Sequence, residues 1–218
     1  QGERRFEARG LHGTQPRTQT IADPYDVYLS SPAVADGVVY VGSSDGHVYA
    51  LDAASGTLRW QQRTGEVVHA SPTVAEGMVV VGSWDGVLHA FDARSGERRW
   101  ALQTGRDPLM ANQQGFQSSP AIVDGVVYVG CRDSHLYAVD LRTGTERWRV
   151  STGSSWVVSS PAVVDGLVVF ATSDSSLVQA VEATTGKPRW THQARAYVFA
   201  SPTVADGVVL IGQLNGEL

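Results

Sequence analysis

The chain has 218 residues, a net charge of −5 and 42% hydrophobic residues, enough to bury a substantial core within one domain. Its charges are scattered, which excludes the basic footprint of a nucleic-acid binder, and no apolar run is long enough to cross a membrane as a helix. Cys131 is the only cysteine, which excludes an intramolecular disulfide and a cysteine-based metal site.

The chain opens with Q-G-E-R-R-F-E-A-R-G over residues 1–10. This has the register of the later stretch G-E-R-R-W (96–100), with Phe6 in the Trp slot. The opening is therefore expected to be the last strand of a repeat unit. Residues 11–27 are polar, carry Pro16 and Pro24, and read as an inserted loop.

The first full unit follows at 28–66. Residues 30–34 (S-S-P-A-V) form a short first strand, and Asp36-Gly37 is a hairpin signal. The apolar run Val38 to Val41 suits a strand covered on both faces. Asp45-Gly46 turns into a third strand (47–52), and 58–63 make the fourth. Four short antiparallel strands joined by tight turns make one propeller blade.

The turn between the last two strands sits in A-L-D-A-A-S-G-T-L-R-W (50–60), and this stretch recurs. Its copies are A-F-D-A-R-S-G-E-R-R-W (90–100), A-V-D-L-R-T-G-T-E-R-W (138–148) and A-V-E-A-T-T-G-K-P-R-W (180–190). The carboxylate and hydroxyl can bond backbone N–H groups in a tight turn. The Trp returns on the next strand with a large apolar face and one N–H donor. Trp60, Trp100, Trp148 and Trp190 are accordingly read as packing devices between repeats.

The Ser-Pro dipeptides end at Pro32, Pro72, Pro120, Pro161 and Pro202, giving spacings of 40, 48, 41 and 41 residues. A period of about 40 means a propeller or solenoid array. The further units are placed at 67–106, 107–153, 154–195 and, as the start of another, 196–218. The second turns are Asp45-Gly46, Asp85-Gly86, Asp133-Ser134, Asp174-Ser175 and Asn215-Gly216. The long spacing holds an insertion, D-P-L-M-A-N-Q-Q-G-F-Q, at 107–117.

Two architectures fit. The chain is part of a larger propeller, or 3–8 supplies the outer strand of a fifth blade begun by 198–218. The second leaves that blade without its third strand and with unpaired backbone groups, so an incomplete propeller is expected.

The A-x-[DE]-x-x-[ST]-G-x-x-x-W turns, with their S-P-x-V-x-D-G strands, resemble the tryptophan-docking repeats of quinoprotein-type (PQQ-like) β-propellers. The resemblance covers nearly the whole chain apart from 11–27 and 107–117. It implies an all-β fold of four-stranded antiparallel blades, a fragment of a seven- or eight-bladed propeller. It also implies a place in the periplasm or otherwise outside the cytoplasm. Members of this family include quinone-dependent alcohol and glucose dehydrogenases, the BamB-type scaffold of the outer-membrane assembly machinery, and sensor domains.

The dehydrogenases of that family bind pyrroloquinoline quinone (PQQ) and calcium, and the alcohol-oxidising ones use adjacent cysteines and an acidic base. None of these can be placed here: Cys131 has no neighbouring Cys, and the Asp residues recur once per turn as turn formers. No cofactor and no metal site is evident in the residues. His47 and His135 share one repeat column and His89 lies two residues later, on separate blades, which does not make a metal site. The serine pairs at 30–31, 118–119 and 159–160 are repeat features rather than nucleophiles.

One region departs from the repeat. The second turns carry Trp84 and Arg132 where other copies have Ser44, Ser173 and Leu214. Trp156 lies in the next connection, His69 and Gln117 precede their Ser-Pro dipeptides, and the insertion holds Leu109-Met110. An exposed aromatic, an Arg and an apolar pair on one face make a binding patch. The expected function is a non-catalytic, BamB-like scaffold binding a protein or peptide. The alternatives are part of a PQQ-dependent alcohol or sugar dehydrogenase, and the extracytoplasmic sensor domain of a receptor or kinase.

Overall fold

In the computed structural model, residues 30–105 and 115–218 are described. The readings made for 1–10 and 11–27, and for the first part of the insertion with Leu109 and Met110, lie outside the described residues. What is described contains strands and turns and no helix. The strands fall into four four-stranded antiparallel sheets and one two-stranded sheet, the blades of a propeller that is incomplete over this stretch.

The first blade is β1 (Ala33–Ala35), β2 (Val38–Gly42), β3 (His47–Asp52) and β4 (Leu58–Arg63). The second is β5 (Thr73–Ala75), β6 (Met78–Gly82), β7 (Val87–Asp92) and β8 (Arg98–Gln103). The third is β9 (Ala121–Val123), β10 (Val126–Cys131), β11 (His135–Asp140) and β12 (Glu146–Ser151). The fourth is β13 (Ala162–Val164), β14 (Leu167–Ala171), β15 (Leu177–Glu182) and β16 (Pro188–Gln193). β17 (Thr203–Ala205) and β18 (Val208–Leu210) begin another. Each first strand starts just after its Ser-Pro, because proline cannot donate to the ladder.

The first hairpin has a two-residue loop, with Ala35 opposite Val38. Asp36 and Gly37 both take positive φ, 48° and 71°, the type I′ geometry that matches strand twist. At the second turn of the fourth blade the expected pair Asp174-Ser175 needs correction. Ser176, not Ser175, carries the positive φ of 53°. The closing bond runs from Thr172 N to Leu177 O, whereas the first blade closes from Ser43 N to His47 O. The fourth loop is thus one residue longer.

The third turn works as its residues suggest. In the first blade Asp52 Oδ1 accepts bonds from the Ala54 and Ser55 amides and the Ser55 hydroxyl. Its Oδ2 takes Arg59 at 2.7 Å. The same arrangement serves Asp92 with Arg99 and Asp140 with Arg147.

The core lies between blades rather than within one. Trp60 and Tyr40 of the first blade share a buried cluster with Val79, Val81 and Phe91 of the second, and the other pairs repeat this. Trp60 Nε1 donates to Ala93 O at 2.9 Å, Trp100 to Leu141 O at 2.7 Å, and Trp148 to Ala183 O at 3.0 Å. Each ring lies on the glycine of the next blade's turn; a Cβ on Gly144 would come within 2.6 Å of Trp100. Trp190 is 38% exposed. A belt of serines joins the inner strands. The amides of Ser31, Ser71, Ser119 and Ser160 each donate at 2.9 Å to the hydroxyl of the corresponding serine one blade on.

Candidate functional site

The second turns and the blade-to-blade connections are stitched together on one face. Trp84 N donates to Val67 O, Arg132 N to Gly115 O, Ser173 N to Trp156 O and Leu214 N to Tyr197 O. The residue at this point of each second turn is thereby fixed beside the connection that enters its blade. Backbone pairing alone therefore brings Arg132 of the third blade between elements of the second and the fourth.

The Arg132 guanidinium lies 4.8 Å from the Trp84 ring centroid and 4.3 Å from that of Trp156. A planar cation between two indoles gains from both π faces, and more so as water is excluded. His69 meets Trp84 edge-on, with centroids 5.1 Å apart and planes at 74°. The described end of the insertion closes against the same tryptophan. Gly115 has φ +110°, and a Cβ there would come within 2.4 Å of Trp84 Cα, so only glycine permits this approach. Trp84 Nε1 is buried with no acceptor among the described residues.

Beside the stack lies a cleft of about 360 Å³, lined by Gln117, Arg132, Trp156, Val158 and Phe199. Trp84, Arg132, Trp156, His69 and Gln117 thus gather in one neighbourhood, and Met110 lies outside the described residues. The expectation of an exposed aromatic with an Arg beside it is corrected in one respect. Arg132 is only 9% exposed, and Trp84 and Trp156 are half-buried. Stacking across blades buries the cation.

Val158 and Phe199 were missed, although they occupy the repeat column of His69 and Gln117. The missed signal was that column followed through every copy. Tyr197 stands next to Phe199, with ring centroids 6.5 Å apart, and Leu214 N donates to Tyr197 O.

The neighbouring Cys131 is not a nucleophile at neutral pH: burial pushes its thiol up to about 12. Among the described residues no three His, Cys, Asp or Glu side chains gather where they could hold a metal ion. The cleft walls present a guanidinium, an amide, an indole and apolar groups. This suits recognition of an anionic or polar group flanked by apolar surface.

The comparisons agree with this architecture. Among solved structures, BamB from Moraxella catarrhalis is similar at 22% identity and a TM-score of 0.73, over 86% of this chain and 59% of that one. A quinohaemoprotein alcohol dehydrogenase from Pseudomonas putida HK5 is similar at 24% and 0.67, over 83% and 37%. One from Comamonas testosteroni gives 18% and 0.70, over 84% and 38%. These likenesses concern the fold, and the chain spans about three fifths or less of the length of each. Among curated proteins none matches the sequence. The family described as outer membrane protein assembly factor BamB matches over residues 14–155 and 132–218, and the chain belongs to that family.

Proposed function

We propose that this chain is part of a non-catalytic scaffold of the cell envelope that binds a protein or peptide partner. The partner sits over the Arg132 stack and the cleft beside it. The observation that carries the proposal is the burial of Arg132 between Trp84 and Trp156, with a cleft beside it. Interface hot spots combine these residue types: Trp, Tyr and Arg held rigidly beside a pocket. Family membership supports an assembly role and an extracytoplasmic place.

The quinone-dependent enzyme reading finds less support in these residues. PQQ carries several carboxylates and calcium takes six or more oxygen ligands. The cleft offers one guanidinium and no carboxylate among the described residues that line it. The residues lining this cleft therefore do not fit the pair.

A photo-crosslinking residue at Gln117 of the full-length protein, expressed in its own cells, tests the proposal. One defined envelope-protein adduct, lost on adding R132A and absent when the crosslinker stands at exposed Arg94, is the expected result. No adduct, or the same adduct from both positions, contradicts it. Saturable binding of quinone and calcium with dye-linked alcohol oxidation would replace the scaffold with the enzyme.

A further inference from the structure

A second cleft, separate from the one beside Arg132, opens between the first two blades. It has a volume of about 540 Å³, and Arg63, Gly65, Asp85, His89, Arg98 and Gln103 are among its lining residues. One of these, His89, departs from its repeat column. The column of His89 holds Tyr49, Tyr137 and Gln179, whereas the columns of Arg98 and Arg63 are variable and hold Arg4 and Arg9 in the opening stretch. That histidine and the two arginines line one inter-blade space.

The histidine creates part of that space. In the first blade Tyr49 Oη donates to Asp45 Oδ2 at 2.6 Å, and Tyr137 donates likewise to Asp133. His89 is shorter and stops with Nε2 3.7 Å from Asp85 Oδ2. It lies flat on Phe91, with centroids 5.8 Å apart. It is 3% exposed, and both ring nitrogens are buried without a hydrogen-bond partner among the described residues.

Arg98 lies with its guanidinium 5.7 Å from the Phe91 ring centroid and donates through one nitrogen to Arg63 O at 3.0 Å. Neither Arg63 nor Arg98 has a carboxylate partner among the described residues, whereas Arg59, Arg99, Arg147 and Arg189 each pair with a turn acid. Asp85 is already engaged: Oδ1 accepts from Val87 N at 2.9 Å, and Oδ2 from Gly65 N at 2.8 Å while facing His89.

We propose that the cleft between the first and second blades is a binding site for a small organic dianion, held by Arg63 and Arg98 over the His89–Asp85 pair. Guanidinium forks match carboxylate and phosphate oxygens in pairs, and the volume falls within the usual range for small ligands.

The test is calorimetric titration of the full-length protein with succinate and, separately, phenyl phosphate. The expected result is saturable binding of at least one probe. R63Q/R98Q should weaken it tenfold or more. H89Y should weaken it similarly, because a tyrosine there donates to Asp85 as in the neighbouring blades and fills the notch. R59Q and R132A should leave it unchanged, which separates this site from the cleft beside Arg132. Preference for one probe assigns the anion as carboxylate or phosphate. The proposal is overturned if neither probe binds, or if R63Q/R98Q, folded by circular dichroism, binds as tightly as the parent.

Discussion

At the residue scale, the tryptophans and turn acids fix the blades in place. Trp100 is buried, donates to Leu141 O and lies against Gly144. Trp100→Ala leaves a cavity between two blades and an unpaired carbonyl, and should cost about 3–5 kcal/mol in urea unfolding. A loss below 1 kcal/mol would show that the docked ring is dispensable. The turn acids set the acid response. The Arg147 guanidinium, with help from Thr143, holds the Asp140 carboxyl at about 2, and Arg99 and Arg59 depress Asp92 and Asp52 similarly. Because the folded value lies below the unfolded one, this stabilisation is present above about pH 4 and is lost as pH falls toward the folded value. Stability should therefore decline between pH 4 and 2, and less steeply in Asp140→Asn. These pairs are largely exposed, so solvent screening keeps each contribution small.

At the element scale, the hairpins and connections do the positioning. Glu76 holds a φ of 48° where the other first turns use Asp. Asn tolerates the left-handed region better than Glu, so Glu76→Asn should raise stability by about 0.5–1 kcal/mol; an unchanged or lower midpoint in urea would contradict this. Much of this layer was legible in the sequence, because Asp-Gly pairs and the A-x-[DE]-x-x-[ST]-G turn carry their geometry in their residue types. The extra residue before Ser176 was not, since serine carries no mark of positive φ. The neighbourhood of Trp84, Arg132 and Trp156 was legible as breaks in repeat columns. The burial of Arg132 was not, because the angle between adjacent blades decides whether a guanidinium falls between two indoles or beside them. Phe199 and Val158 lay in a column followed through only two copies. The His89 notch was hidden because a lone histidine on a strand shows its meaning only against the Tyr–Asp bonds of its neighbours.

At the scale of the whole molecule, the blades hold one another through three layers: docked tryptophans, inter-blade apolar clusters and the serine belt. Side chains on the stitched face are thus set by a rigid frame, and a partner meeting Arg132 encounters a pre-organised group at little entropic cost. The account's central claim is that this stack is the binding surface. The most direct test is the affinity of the full-length protein for the envelope partner trapped at Gln117, measured for the parent, R132A and R132K. A hot spot of this kind predicts a loss of about 30- to 100-fold for R132A. R132K should lie close to R132A, because lysine keeps the charge and loses the planar stack. An affinity for R132A within twofold of the parent would contradict the account.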